Sequence, residues 1–204
     1  MIAFLLEAFM ISLSGVMAPG PLSAVVVGKG SRSPHAGAWV AFGHGAFEIP
    51  LMVAIFYGLG TLLQRPGVDT AIALIGGLFL LYMGVGMLRH LRSARVVAAD
   101  DQRSPLLAGI LLTAGNPYFL LWWATVGAAL IGRAMQFGFL GFAALAIVHW
   151  SCDLAWCYLL SSVSYKGGTL LGRRFQMAIL GLSGLFLLFF GARFLLAGVQ
   201  SLMA

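Results

Sequence analysis

Two pairs of ionisable residues stand in long apolar surroundings. His44 is followed four residues later by Glu48, and His149 is followed four residues later by Asp153. Positions i and i+4 share one face of a helix, so each pair would present an imidazole beside a carboxylate. Three chemistries fit that arrangement. Histidine titrates near neutral pH and can trade a proton with a carboxylate neighbour, which suits proton coupling. Two imidazoles and two carboxylates also form a reasonable ligand set for zinc or manganese. The third is a hydrogen-bonded clasp between two helices. Ionisable groups are costly inside lipid and point to function by default.

A second feature sits in other apolar runs. "APGP" spans Ala18 to Pro21, and "AGNP" spans Ala114 to Pro117. Proline lacks a backbone N–H and clashes with the preceding turn. Lipid cannot satisfy the freed backbone groups, so such a break survives only against protein or a watery cavity. A half-helix starting after Pro21 would offer its positive dipole end to a carboxylate. Ser23 can add a hydroxyl. At the second break Asn116 supplies an amide, and Tyr118 a phenol and a ring face. The candidate substrate-binding or gating set is therefore Pro19, Gly20, Pro21, Ser23, Asn116, Pro117 and Tyr118. The candidate proton-coupling set is His44, Glu48, His149 and Asp153, with the same four as the alternative metal ligands. No catalytic residue and no resident cofactor is expected.

The elements that must position these residues are membrane helices. Hydrophobic residues make up 61% of the 204-residue chain and charged residues 9%, which excludes an ordinary soluble domain. A spanning helix needs about 20 mainly apolar residues. Six stretches qualify, at roughly 2–28, 36–63, 70–91, 105–130, 136–162 and 175–200. The first carries Glu7, lacks a basic leader and runs past any cleavage site, so it reads as a span, not a signal peptide. Little is left outside the spans, so residues 1–204 form one integral membrane domain.

The net charge of +6 is distributed as topology. Lys29 and Arg32 follow the first stretch. Arg89, Arg92, Arg95 and Arg103 surround the third loop, and Lys166, Arg173 and Arg174 precede the last stretch. The other two loops hold only Arg65 and Arg133. The positive-inside rule places the first set in the cytoplasm, so both termini are expected outside.

The chain repeats itself. "GLFLLYMGVGML" (Gly77 to Leu88) matches "GLFLLFFGARFL" (Gly184 to Leu195). The two proline breaks and the two histidine–carboxylate pairs fall in the same order in each half. Each half, about 1–95 and 104–204, holds three helices. An odd number makes the second half enter the membrane from the opposite side, the inverted repeat of many secondary transporters. The expected fold is all-α, with six transmembrane helices in two inverted three-helix repeats and with helices one and four broken.

The remaining residues have plainer readings. Cys152 and Cys157 do not suit a mutual disulfide and read as small buried side chains. Glu7 reads as interfacial, and Arg193 as snorkelling to the surface. Trp122 and Trp123 read as interface-belt or packing residues, not a binding cage. "GLSG" at Gly181 to Gly184 mimics an intramembrane serine protease, but no histidine follows Ser183 to act as its base. A thiol-based electron carrier needs cysteine beside the breaks, where Ala18 and Asn116 stand. No P-loop or nucleic-acid motif appears.

With "MAPGP" in the first helix, a glycine-studded second helix and "GNP" followed by aromatics in the fourth, the chain resembles the lysine-exporter superfamily of LysE/RhtB type over nearly its whole length. That resemblance implies a six-helix inner-membrane exporter of amino acids or related small zwitterions, driven by the proton gradient. Leu22 after the first motif, Tyr118 after the second and the histidine–acid pairs depart from the usual family pattern. They leave the substrate open. The alternative is a divalent metal cation exporter, and the remote one an intramembrane enzyme. The expected partners are a small-molecule substrate and the lipid bilayer, with no nucleic acid; self-association is left open.

Overall fold

A computed structural model describes residues 1–18, 20–59, 67–90, 103–167 and 172–203. Among the described residues every regular element is helical. They are α1 (Ile2–Val16), α2 (Pro21–Gly30), α3 (Ala36–Ala54), α4 (Val68–His90), α5 (Pro105–Ala114), α6 (Pro117–Trp122), α7 (Ala128–Ala134), α8 (Gly138–Gly167) and α9 (Gly172–Met203). A π-helical turn (Ile55–Leu59) extends α3, and another (Trp123–Gly127) joins α6 to α7.

Among the described residues, helix occupies each of the six apolar stretches. By length and composition, Ala36–Leu59, Pro117–Gly167 and Gly184–Met203 are long and apolar enough to cross a membrane. α1 and α2 qualify together as one span bent by 76° at the first proline break. Pro19 itself lies outside the described residues. Pro117–Gly167 doubles back at Gly138, whose φ of 66° suits glycine. Beyond the turn, Phe142 and Leu145 of α8 pack with Leu130, Ile131 and Ala134 of α7. The fourth stretch is broken where expected: α5 ends at Ala114, Gly115 caps it, and α6 restarts with Pro117 in its first turn.

Helix packing follows from small residues. Lipid tails are as apolar as the helices, so close van der Waals fit between helices supplies much of the association. A Cβ on Gly77 would stand 2.9 Å from the Gly191 carbonyl oxygen, and one on Gly84 would stand 2.9 Å from that of Gly184. Residue numbers rise along α4 while those of their partners fall along α9, so the two helices run antiparallel. α3 and the α5–α6 stretch run parallel, as Gly43 meets Leu106, His44 meets Thr113, and Glu48 meets Trp123. α1–α2 and α8 are also parallel, through Phe4 with Phe137, Ser12 with His149, and Val27 with Ser164.

Contacts between helix ends sort them onto two faces. Glu7 of α1 makes a two-pronged ion pair with Arg133 of α7, at 2.6 and 2.7 Å. Thr70 of α4 bonds Ser201 of α9 at 2.7 Å. On the opposite face, Lys29 Nζ donates to the Arg103 carbonyl oxygen at 2.8 Å, and Ser161 Oγ donates to that of Pro34 at 2.6 Å.

Candidate functional site

The two helix breaks face one cavity of about 80 Å³. One wall is the start of α2. Gly20 is extended, with φ −164°, and Pro21 opens the helix. No side chain caps this end, and Gly20, Pro21, Leu22 and Ser23 all border the cavity. The other break contributes Asn116 and Tyr118. Asn116 caps α6 by accepting from the Tyr118 backbone N–H at 3.1 Å. The Tyr118 ring stands edge-on to Phe186 and Phe190 of α9, with centroids 5.5 and 5.4 Å away. Pro117 is buried in the first turn of α6, with its ring against Gly76 of α4. It sets the break and does not line the cavity.

The floor is formed by the four ionisable residues, which converge although they come from two helices. His44 and Glu48 project from α3, and His149 and Asp153 from α8; all four are buried and border the cavity. Glu48 Oε1 lies 3.1 Å from His44 Nε2 and 3.2 Å from His149 Nε2. Asp153 closes the ring, with Oδ1 3.5 Å from His44 Nε2 and Oδ2 3.6 Å from His149 Nε2. Acid and imidazole therefore alternate.

Outer partners orient the imidazoles. His44 Nδ1 lies 2.7 Å from Thr113 Oγ1 of α5. Thr113 donates its single hydroxyl hydrogen to the Gly109 carbonyl at 2.6 Å, so its oxygen must accept from His44 Nδ1–H. The exchangeable position of His44 is therefore Nε2, facing Glu48. If Glu48 is ionised, Nε2 carries a proton; if His44 is neutral, Glu48 carries it. His149 Nδ1 lies 2.8 Å from Ser12 Oγ, a hydroxyl that can donate or accept, so either tautomer of His149 fits. Each histidine thus reaches a hydroxyl on another helix, His44 of α3 on α5 and His149 of α8 on α1.

The tryptophans pack in the core, one of their two expected readings, and also reach the site. Trp123 is 1% exposed, and its Nε1–H donates to Glu48 Oε1 at 3.1 Å. Trp122 borders the cavity and lies over His149, with centroids 5.2 Å apart. A Cβ on Gly15 would stand 2.9 Å from the Trp122 ring nitrogen, so α1 needs glycine there. Trp123 packs inward, its indole N–H turned to the buried carboxylate. Sequence reasoning missed Ser12 and Thr113 as well; a lone hydroxyl in an apolar run carries no signal until its partner helix is known. Away from the cavity, Glu7 pairs with Arg133, Arg193 is exposed, and Cys152 and Cys157 are free and buried.

The profile of the LysE type translocator family matches residues 13–198. The chain belongs to that family. Among LysE relatives, YcgF of Bacillus subtilis (strain 168), provisionally named as an amino acid efflux protein, is 25% identical over 195 residues, covering 90% of this chain and 91% of YcgF. The uncharacterized membrane protein PA4757 of Pseudomonas aeruginosa is 28% identical over 189 residues, covering 86% of each chain. No solved structure matches the chain. LysE members are membrane translocators, so the cavity belongs to a transport protein.

Proposed function

We propose that this LysE translocator is a secondary exporter of amino acids or closely related small zwitterions, with protons exchanged at the acid–imidazole ring. One observation carries the reading: a single cavity joins both helix breaks to that ring. Substrate and proton sites that share a cavity can be coupled directly, without a long relay. The name of YcgF supports amino acids as the substrate class.

The proposed architecture is six spans in two inverted three-helix repeats. The α4–α9 interface supports it. If Gly77 corresponds to Gly184 and Gly84 to Gly191, the Gly77–Gly191 contact maps onto Gly184–Gly84, as a two-fold axis requires. Each histidine also bonds a hydroxyl of the stretch that holds the other half's break, although Ser12 and Thr113 stand at different distances from Pro21 and Pro117. The basic residues Lys29, Arg32, Arg103 and Lys166 favour a cytoplasmic-membrane orientation with both termini outside.

The test is counterflow in proteoliposomes, with amino acids and divalent cations side by side. Wild type should exchange one or more amino acids and drive them uphill when a pH gradient is imposed. Glu48→Gln should keep exchange between equal pools and lose uphill movement. Uphill amino-acid export by Glu48→Gln at the wild-type rate would refute the coupling role. A second reading rests on the ring itself: ligand atoms of His44, Glu48 and Asp153 lie within 4.8 Å of one another, which suits a divalent cation. Exchange of manganese or zinc with no amino-acid exchange would favour that reading.

A further inference from the structure

The two carboxylates hold corresponding places in the two halves, yet their surroundings differ. Glu48 is well supplied with donors: Trp123 bonds its Oε1, and both imidazoles approach the same atom at 3.1 and 3.2 Å. Asp153 has only looser neighbours, the imidazole nitrogens at 3.5 and 3.6 Å. Each carboxylate has one buried oxygen with no hydrogen-bond partner, Glu48 Oε2 and Asp153 Oδ2, which is costly. The other oxygen of Glu48 has three close nitrogen neighbours, whereas Asp153, 4% exposed at the edge of the cavity, has only the two longer approaches.

The same cavity has a wall of opposite character. The first turn of a helix lacks intrahelical partners for its N–H groups and carries partial positive charge. α2 begins at this wall, uncapped, with the Ser23 side chain beside it. Phe119, Trp122, Phe186 and Leu187 line the same cavity. A carboxylate short of donors, a helix start short of acceptors and an apolar lining offer partners to the ammonium, the carboxylate and the side chain of an α-amino acid.

Building on the exporter reading, we propose that Asp153 receives the ammonium group of the transported zwitterion while the first turn of α2 takes its carboxylate. A primary ammonium brings three donors and no acceptor, which Asp153 can use at either oxygen, whereas Glu48 has only Oε2 left. The substrate class is then an amino acid with a free α-ammonium. N-acylated amino acids and 2-hydroxy acids of the same side chain should bind more weakly, since each offers Asp153 one neutral donor in place of a charged group with three. Asp153 also becomes a carboxylate that can hold either the ammonium or a proton, which is how competition at one group produces antiport.

The experiment is proteoliposome counterflow with tritiated L-leucine, L-threonine and L-lysine, followed by competition on whichever of them wild type exchanges. The competitors are the unlabelled amino acid and its 2-hydroxy acid. In wild type the hydroxy acid should compete at least about tenfold more weakly, because its hydroxyl brings one donor and no charge to a site built for an ammonium. Asp153→Asn should weaken competition by the amino acid about tenfold and leave that by the hydroxy acid unchanged, so the discrimination disappears. Full discrimination in folded Asp153→Asn overturns the assignment. So does equal competition by the two compounds in wild type, which decides the matter if the variant does not fold. No exchange of any amino acid by wild type removes the exporter reading and the assignment together, whereas normal exchange with discrimination intact in the variant removes the assignment alone.

Discussion

At the scale of single residues, His44 is oriented by a group that does not border the cavity. Thr113 fixes His44 through one hydrogen: its hydroxyl gives that hydrogen to Gly109 and so can only accept from the imidazole. Thr113→Val keeps the shape and removes the acceptor, leaving a buried N–H unpaired at a cost of about 1–3 kcal/mol. The purified variant should melt at a lower temperature in detergent. Nitrogen NMR of labelled histidine should show His44 no longer held as the Nδ1–H form. Thr113→Ser should restore both. An unchanged spectrum in the valine variant would remove the positioning role. The sequence announced the ring members themselves, since paired ionisable residues in apolar runs are conspicuous. Thr113, Ser12 and Trp123 were silent because hydroxyls and indoles are ordinary inside membrane helices, and only the packing of α5, α1 and the π-helical turn brings them to the ring.

At the scale of elements, glycine placement separates contact from mere abundance. The chain has 27 glycines, and the sequence could say that helices approach closely but not where. The structure distinguishes Gly77, where a Cβ would meet the Gly191 carbonyl at 2.9 Å, from Gly86, where it would meet nothing within 4 Å. Gly77→Ala should force α4 off α9 and destabilise by about 1–3 kcal/mol, the usual range for overpacking. Gly86→Ala should be neutral or gain up to about 1 kcal/mol from helix propensity. Thermal unfolding in detergent orders the two variants, and equal melting temperatures would refute the tight α4–α9 seam. The breaks were legible because proline is unambiguous: Pro21 and Pro117 each sit in the first turn of a restarted helix. Their separate duties were not legible. Only packing shows that the start of α2 faces the cavity while Pro117 turns toward Gly76.

At the scale of the whole molecule, the two faces carry the topology. The Glu7–Arg133 and Thr70–Ser201 contacts tie the chain's two ends to the turn before Gly138 and to the start of α4. The Lys29–Arg103 and Pro34–Ser161 contacts gather the other connections, together with most of the described basic residues. The proposed three spans per half would require this sorting, because each half would then end on the face opposite the one where it began. Lysine and arginine on short loops resist translocation, so the second face should be cytoplasmic. Single cysteines can be read in a Cys152→Ala, Cys157→Ala background with a membrane-impermeant maleimide on spheroplasts. Met203→Cys and Gln136→Cys should label in intact spheroplasts, and His35→Cys and Lys166→Cys only after permeabilisation. A full reversal would keep the repeat and overturn the charge argument. Labelling of Met203→Cys and His35→Cys from the same side would break the odd-span threading, and with it the inverted repeat.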